Sequence, residues 1–154
     1  MDGDGHPDIV WHNNSTGDVY VYYLGGANGN TFLSGGYIPA APTVWTLAGV
    51  ADFNGDGQPD LLWHNTSTGD NYLYYLGGVG GRTVLSGGYV PGAPTVWTVG
   101  SVADLNGDGH PDIVWRNSST GDAYVYYLGG TGGNTVLTGG YIPGAPTVWS
   151  MVGP

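Results

Sequence analysis

The chain contains no cysteine, no lysine and no glutamate. Without cysteine there is neither a disulfide framework nor thiol chemistry, and the redox compartment stays open. Its only basic side chains beyond histidine are Arg82 and Arg116, set against twelve aspartates, for a formal net charge of −10. Nucleic acid and anionic membrane surfaces are therefore poor partners, since both need a cationic footprint. No apolar run approaches the length of a membrane span. Met1 leads straight into an aspartate-rich motif with no leader pattern ahead of it. Helix signals are missing as well. No apolar 3.6-residue pattern exceeds one turn, and Gly or Pro interrupts each candidate.

What remains is 154 residues, the size of one ordinary domain, with 31 Gly and 10 Pro beside 6 Trp and 12 Tyr. So much Gly and Pro suggests disorder, but disordered chains do not carry that much aromatic surface. The aromatics are ordered along the chain. Trp11, Trp63 and Trp115 follow one another at 63 − 11 and 115 − 63, both 52 residues. Trp45, Trp97 and Trp149 keep the same step, as do Tyr37, Tyr89 and Tyr141. A repeat of this length indicates a solenoid, propeller or array. The copies run approximately over 1–51, 52–103 and 104–154 of a single unit.

Within one copy the signals are all strand. VWTLAGVAD (44–52) and LLWHN (61–65) are apolar and bounded by turn residues. NYLYYLGG (71–78) is apolar on both faces, which predicts cover on both sides. TVLSGGYV (83–90) follows a Gly-rich turn. Four strands per repeat, each sheet sandwiched between neighbours, describe the blade of an all-β propeller, three blades per chain.

Between the first two strands stands DFNGDGQPD (52–60), repeated as DLNGDGHPD (104–112) and, shortened, as MDGDGHPD (1–8). Asp52, Asn54, Asp56 and Asp60, with the Gln58 carbonyl, form an oxygen-only set with Gly at the sharp turn. Asp104, Asn106, Asp108, Asp112 and the His110 carbonyl repeat it, and Asp2, Asp4 and Asp8 form an incomplete version. Carboxylates packed this densely repel one another unless a cation lies between them. Hard oxygen donors without a repeated soft or nitrogen ligand predict calcium in a structural role. An EF-hand is excluded, since it needs flanking helices and a Glu at position twelve.

GVADFNGDGQPDLLW and SVADLNGDGHPDIVW resemble the FG-GAP/VCBS repeats of integrin α-subunits and of secreted microbial proteins. That resemblance implies a calcium loop between the first and second strands of a propeller blade. It also implies a secreted or extracellular setting. Integrin-like mushroom lectins within the family bind N-acetylglucosamine, so the resemblance implies a carbohydrate-binding activity of that type.

In an up-and-down blade the loops alternate between two rims. One rim takes the aspartate loop and the Gly-rich turn. The other collects Asn65, Ser67, Thr68, Asp70 and Trp97 together with Tyr37, Tyr89 and Tyr141, and His12, His64 and Arg116 at one equivalent position. Aromatic faces beside amide, hydroxyl and carboxylate groups suit a neutral glycan. Tyr89 and His64 are the favoured contacts, and Trp63 and Tyr74 read as core. An enzyme is not expected, because the same groups recur in three equivalent places and no single asymmetric set stands out. The competing expectation is a self-assembling scaffold or adhesion module without a small ligand.

Three blades are too few to close a ring, since propellers run from about four to eight. The sequence enters at a loop and second strand, and its last stretch, TVWSMVG (147–153), reads as a first strand. A homodimer closing a six-bladed ring is the expected assembly.

Overall fold

The computed structural model describes residues 1–153. Eleven strands form three antiparallel sheets, and the described residues contain no α-helix. The first sheet holds β1 (Ile9–His12), β2 (Val19–Gly25) and β3 (Thr31–Ile38) in that order. The second holds β4 (Trp45–Ala51), β5 (Asp60–Asn65), β6 (Asn71–Gly77) and β7 (Thr83–Val90). The third repeats it with β8 (Trp97–Ala103), β9 (Asp112–Asn117), β10 (Ala123–Gly129) and β11 (Thr135–Ile142). The chain meanders through each sheet by hairpins, the order expected of propeller blades. One short 3₁₀ turn, Val79–Gly81, appears where the sequence predicts only a Gly-rich turn. Gly78, Gly80 and Gly81 all take positive φ there.

The sheets stack face to face, and the sequence explains why. Alternation along β6 sends Tyr72, Tyr74 and Leu76 to one face and Leu73 and Tyr75 to the other. The first set joins Leu61 and Trp63 against Val19, Val21 and Tyr23 of the first sheet. The second joins Leu62 against Ile113, Trp115 and Leu128 of the third. A central strand sandwiched in this way has no wet face. All six residues of β5 are buried, and Leu61, Leu62 and Trp63 are 0% exposed. Burial of such side chains contributes about 1.5–3 kcal/mol each, so the two seams hold the stack together.

Two hydroxyls cross the seams at equivalent points. Tyr23 donates to the Gly80 carbonyl at 2.6 Å, and Tyr75 donates to the Gly132 carbonyl at 2.7 Å. The innermost strands β4 and β8 run beside each other, with Val102 filling the space over Gly49.

The stretch 147–153, read from sequence as a strand, is not one. It lies along β8, with Met151 where a side chain at Gly100 would stand, and pairs with no strand. A strand needs a ladder partner, and among the described residues none pairs its backbone with this stretch.

Candidate functional site

The rims divide as alternation requires. The aspartate loop before β5 and the Gly-rich turn after β6 share one rim, where Gly81 approaches Gln58. The 66–70 turn and the connection into β8 share the other, where the Ala93 N–H donates to the Gly69 carbonyl at 3.1 Å and the two backbones lie tight together. Only glycine fits at Gly69, because φ there is +82° and any Cβ would enter the Ala93 carbonyl oxygen.

On the first rim the aspartates are held by their own backbone. Asp52 accepts the N–H groups of Gly55 at 2.8 Å, Asp56 at 3.1 Å and Gly57 at 2.7 Å. Asn54 accepts the Asp56 N–H at 2.9 Å, and Asp56 accepts the Gln58 N–H at 2.7 Å. Asp104, Asn106 and Asp108 repeat the pattern, with Asp108 accepting the His110 N–H at 2.9 Å. The N–H groups of Gly109, Gly107 and Asp108 hold the Asp104 carboxyl below the usual carboxylate range.

The ninth-position aspartate has a separate task. Asp60 is fully buried, and its two oxygens accept the N–H of Phe53 at 3.0 Å and of Leu76 at 2.9 Å. It thereby staples the loop to the third strand of its blade. Burial pushes its carboxyl up to about 6, although both N–H groups pull the other way. Asp112 makes the same staple to Leu105 and Leu128. Asp8 bonds the N–H of Leu24 and Asp2 and the Met1 α-ammonium. Burial raises the Asp8 carboxyl, but that ammonium and the two N–H groups outweigh it and leave it lowered.

The donor set is thus oxygen throughout, as a hard cation requires. Yet among the described residues no three His, Asp or Glu side chains are gathered closely enough to hold an ion. Asp52, Asn54 and Asp56 accept N–H groups of their own loop, while Asp60 is turned inward to those of Phe53 and Leu76.

The other rim is more selective than the sequence suggests. Asn65 caps its own turn by accepting the N–H of Ser67 and Thr68, and Asp70 accepts the Thr68 hydroxyl. His64 is only 4% exposed, bonded to Asn71 at 2.9 Å and set edge-on against Trp115 at 5.6 Å. His12 packs in the same way on Trp63 at 5.4 Å. Both histidines pack into a seam, His64 buried and His12 half-buried. Arg116 donates to the carbonyls of Gly121, Ala145 and Pro146.

Aromatic pockets open instead at the seams themselves. Ala41, Pro42, Trp45, Trp63, Tyr72 and Tyr74 line a cavity of about 270 Å³ between the first and second sheets. Ala93, Pro94, Trp97, Trp115, Tyr124 and Tyr126 line one of about 180 Å³ between the second and third. Each residue of the second set stands 52 positions after its counterpart in the first. Trp63 is fully buried and Trp115 1% exposed, and the indole Nε1–H of each has no hydrogen-bond partner. A buried donor left unpaired costs about 1–3 kcal/mol, and the same donor is left open at both equivalent places. Burial raises the Tyr74 and Tyr126 hydroxyls above the usual tyrosine range, which keeps them neutral.

Of the residues expected to meet a ligand, Trp97 lines the second of these pockets, Tyr37 lines a hollow on the first sheet, and Arg116 lines clefts beside the 147–151 stretch. Tyr89 and Tyr141 stand exposed beside the pockets, edge-on to Tyr72 at 4.8 Å and to Tyr124 at 4.9 Å. Tyr37 holds the same place beside Tyr20 in the first sheet. Trp63 and Tyr74, read from sequence as core, prove to be both core and pocket floor. The sequence signal was the APTVW stretch, which carries an Ala-Pro wall over the next blade's tryptophan.

Similarity to known sequences agrees with this architecture. The FG-GAP-like repeat model matches residues 1–63 and 52–115, and the FG-GAP repeat model matches residues 96–136. No curated protein and no solved structure matches the chain.

Proposed function

The chain belongs to the FG-GAP repeat family, and from that premise we propose that it is a calcium-stabilised, multivalent carbohydrate-binding protein with a sugar site at each seam. The observation that carries this reading is the pair of equivalent pockets, each floored by a buried indole whose N–H lacks a partner. A neutral sugar suits such a lining: its C–H face stacks on the partly exposed tryptophan and tyrosine rings, and its hydroxyls bond the tyrosine hydroxyls of the pocket wall. No charged side chain lines either pocket, and the net charge of −10 disfavours anionic sugars. N-acetylglucosamine-type ligands fit this chemistry. Shallow sites of this kind bind weakly one by one and gain avidity through repetition. Binding proceeds without turnover, since equivalent groups in equivalent places do not make the asymmetric set that catalysis uses.

Calcium would be held by Asp52, Asn54, Asp56 and the Gln58 carbonyl, and again by Asp104, Asn106, Asp108 and the His110 carbonyl. When bound it supplies positive charge among carboxylates that otherwise repel. Asp60 and Asp112 anchor the loops beneath. Extracellular calcium modules bind with Kd of about 10⁻⁴–10⁻³ M, and we assign the protein to that setting.

A glycan array read in calcium buffer tests the proposal, followed by titration of Trp63→Phe and Trp115→Phe. Each change trims the two-ring indole to a single ring and so weakens the aromatic floor, and affinity at that seam drops about tenfold. If no glycan binds at high protein concentration, the carbohydrate reading fails and a scaffold or adhesion module without a small ligand takes its place.

A further inference from the structure

The first sheet departs from the rule the other two obey. Trp11 is 52% exposed, whereas Trp63 and Trp115, at the equivalent positions, are 0% and 1%. Ile9 and Tyr22 stand exposed on the same face, with Phe32 packed on Tyr22. Trp11, Tyr20 and Tyr22 form the floor of a wide hollow of about 410 Å³. They are the counterparts of Trp63, Tyr72 and Tyr74, so this hollow is a seam pocket without its wall. In the two complete pockets the wall is Ala41, Pro42 and Trp45, or Ala93, Pro94 and Trp97. The inner edge of β1 is also bare, where β5 and β9 pair with β4 and β8.

The missing parts exist elsewhere on the chain, without anything to cover. The 52-residue step makes Ala145, Pro146 and Trp149 a third wall. Trp149 is 65% exposed and Val148 89%. Residues 147–153 are the counterpart of β4 and β8 and pair with no strand. Leu105 is 47% exposed, while its counterpart Phe53 is fully buried under the following blade.

We infer that these two surfaces are the halves of one seam made between two copies of this chain, and that each copy completes a third aromatic pocket on the other. Ala145, Pro146 and Trp149 of one copy close the hollow over Trp11, Tyr20 and Tyr22 of the second. The segment 147–153 pairs with β1 as β4 pairs with β5. Two such exchanges about a two-fold axis give six blades, inside the range of about four to eight.

The two existing seams specify the contacts of the third. Tyr23 and Tyr75 each reach a carbonyl across their seam; Tyr127, next in the series, meets the Asn28 carbonyl of the second copy. His12 and His64 each pack on the tryptophan of the following sheet; Arg116, next in that series, lies over Trp11 of the second copy. Arginine at this one position serves two ends. Its N–H groups already hold the Ala145 and Pro146 carbonyls at 2.8 Å, which fixes the wall in place. Its guanidinium face is left for the indole, a cation–π contact stronger than histidine offers when neutral.

For its ligand count this inference rests on the carbohydrate reading; for its assembly it does not. Light scattering in calcium buffer is expected to give twice the 15.9 kDa of one chain. Trp11→Asp places a charge in the seam but alters a side chain that a single chain leaves exposed. It is expected to return the mass of one chain with its strand signal intact. Tyr127→Phe, which removes one hydroxyl, raises the dimer dissociation constant about tenfold by ultracentrifugation. A wild-type mass of one chain, or of three or more, overturns the inference, and so does a dissociation constant unmoved by Tyr127→Phe. With a bound sugar in hand, calorimetry reads three sites per chain for wild type and two for Trp11→Asp; two for both overturns the shared pocket. If no sugar binds, the masses alone decide the assembly.

Discussion

Asp60→Ala removes the staple between the aspartate loop and β6, and its cost follows from the geometry. The carboxylate is fully buried and accepts two backbone N–H groups, those of Phe53 and Leu76, which are themselves 0% exposed. Alanine leaves both donors buried and unpaired, at about 1–3 kcal/mol each. Relief of a buried charge offsets part of this, so the net loss near pH 7 is about 2–4 kcal/mol. The dependence on pH is the sharper test. Burial puts the Asp60 carboxyl at about 6 in the folded chain against 3.8 as its ordinary value. The folded state therefore binds the proton more readily than the unfolded state. Wild type without calcium gains stability from this group as pH falls through about 6 toward 4, roughly 1.3 kcal/mol between pH 7 and pH 5. The alanine variant has no such gain, so the gap between the two proteins widens on acidification. A salt-bridged carboxylate gives the opposite trend, and an exposed one gives none. Urea unfolding followed by tryptophan fluorescence, in chelator at both pH values, measures the gap. A gap that narrows at pH 5, or a loss under 1 kcal/mol at pH 7, refutes the staple.

Chelation is expected to lower the melting temperature and excess calcium to restore it, by the linkage of binding to stability; equal melting with and without metal removes the calcium assignment. Asp104→Asn removes a carboxylate held low by three loop N–H groups, a contribution present above the ordinary carboxylate pKa and lost as pH falls through the lowered one. Its destabilisation in chelator should therefore shrink on acidification, the reverse of Asp60→Ala. Gly69→Ala meets the Ala93 carbonyl at φ +82° and is expected to cost about 2–4 kcal/mol, whereas Gly57→Ala, at φ +85° with open space around it, costs about 1. Equal urea midpoints for the two variants contradict the close approach at Gly69.

The architecture was legible because the repeat made each position state its role three times. The strands read from VWTLAGVAD, LLWHN, NYLYYLGG and TVLSGGYV appear at 45–51, 60–65, 71–77 and 83–90, within a residue or so of each boundary. Alternating aromatics along 71–78 announced a sheet covered on both faces, and the seams on either side of β6 supply that cover. What local pattern could not supply was the state of 147–153. Its sequence matches β4 and β8, but strand structure depends on a ladder partner, and a partner is a fact about tertiary neighbours.

The site was less legible for a related physical reason. Residue type placed Asn65, Asp70 and His64 among hydroxyl-seeking groups, yet each found a nearer partner: two turn N–H groups, the Thr68 hydroxyl, and Asn71 with Trp115. Polar side chains that can satisfy themselves locally do so before a ligand arrives. Trp63 and Trp115 are the contrary case. They are buried deeply enough to read as core, but their surroundings offer no acceptor for the indole N–H. Burial of the ring stabilises the seam whether or not that donor is paired. The repeat therefore fixes two tryptophans for packing and leaves two donors open. Composition shows the rings; only the packed seam shows which of their polar atoms remain unused.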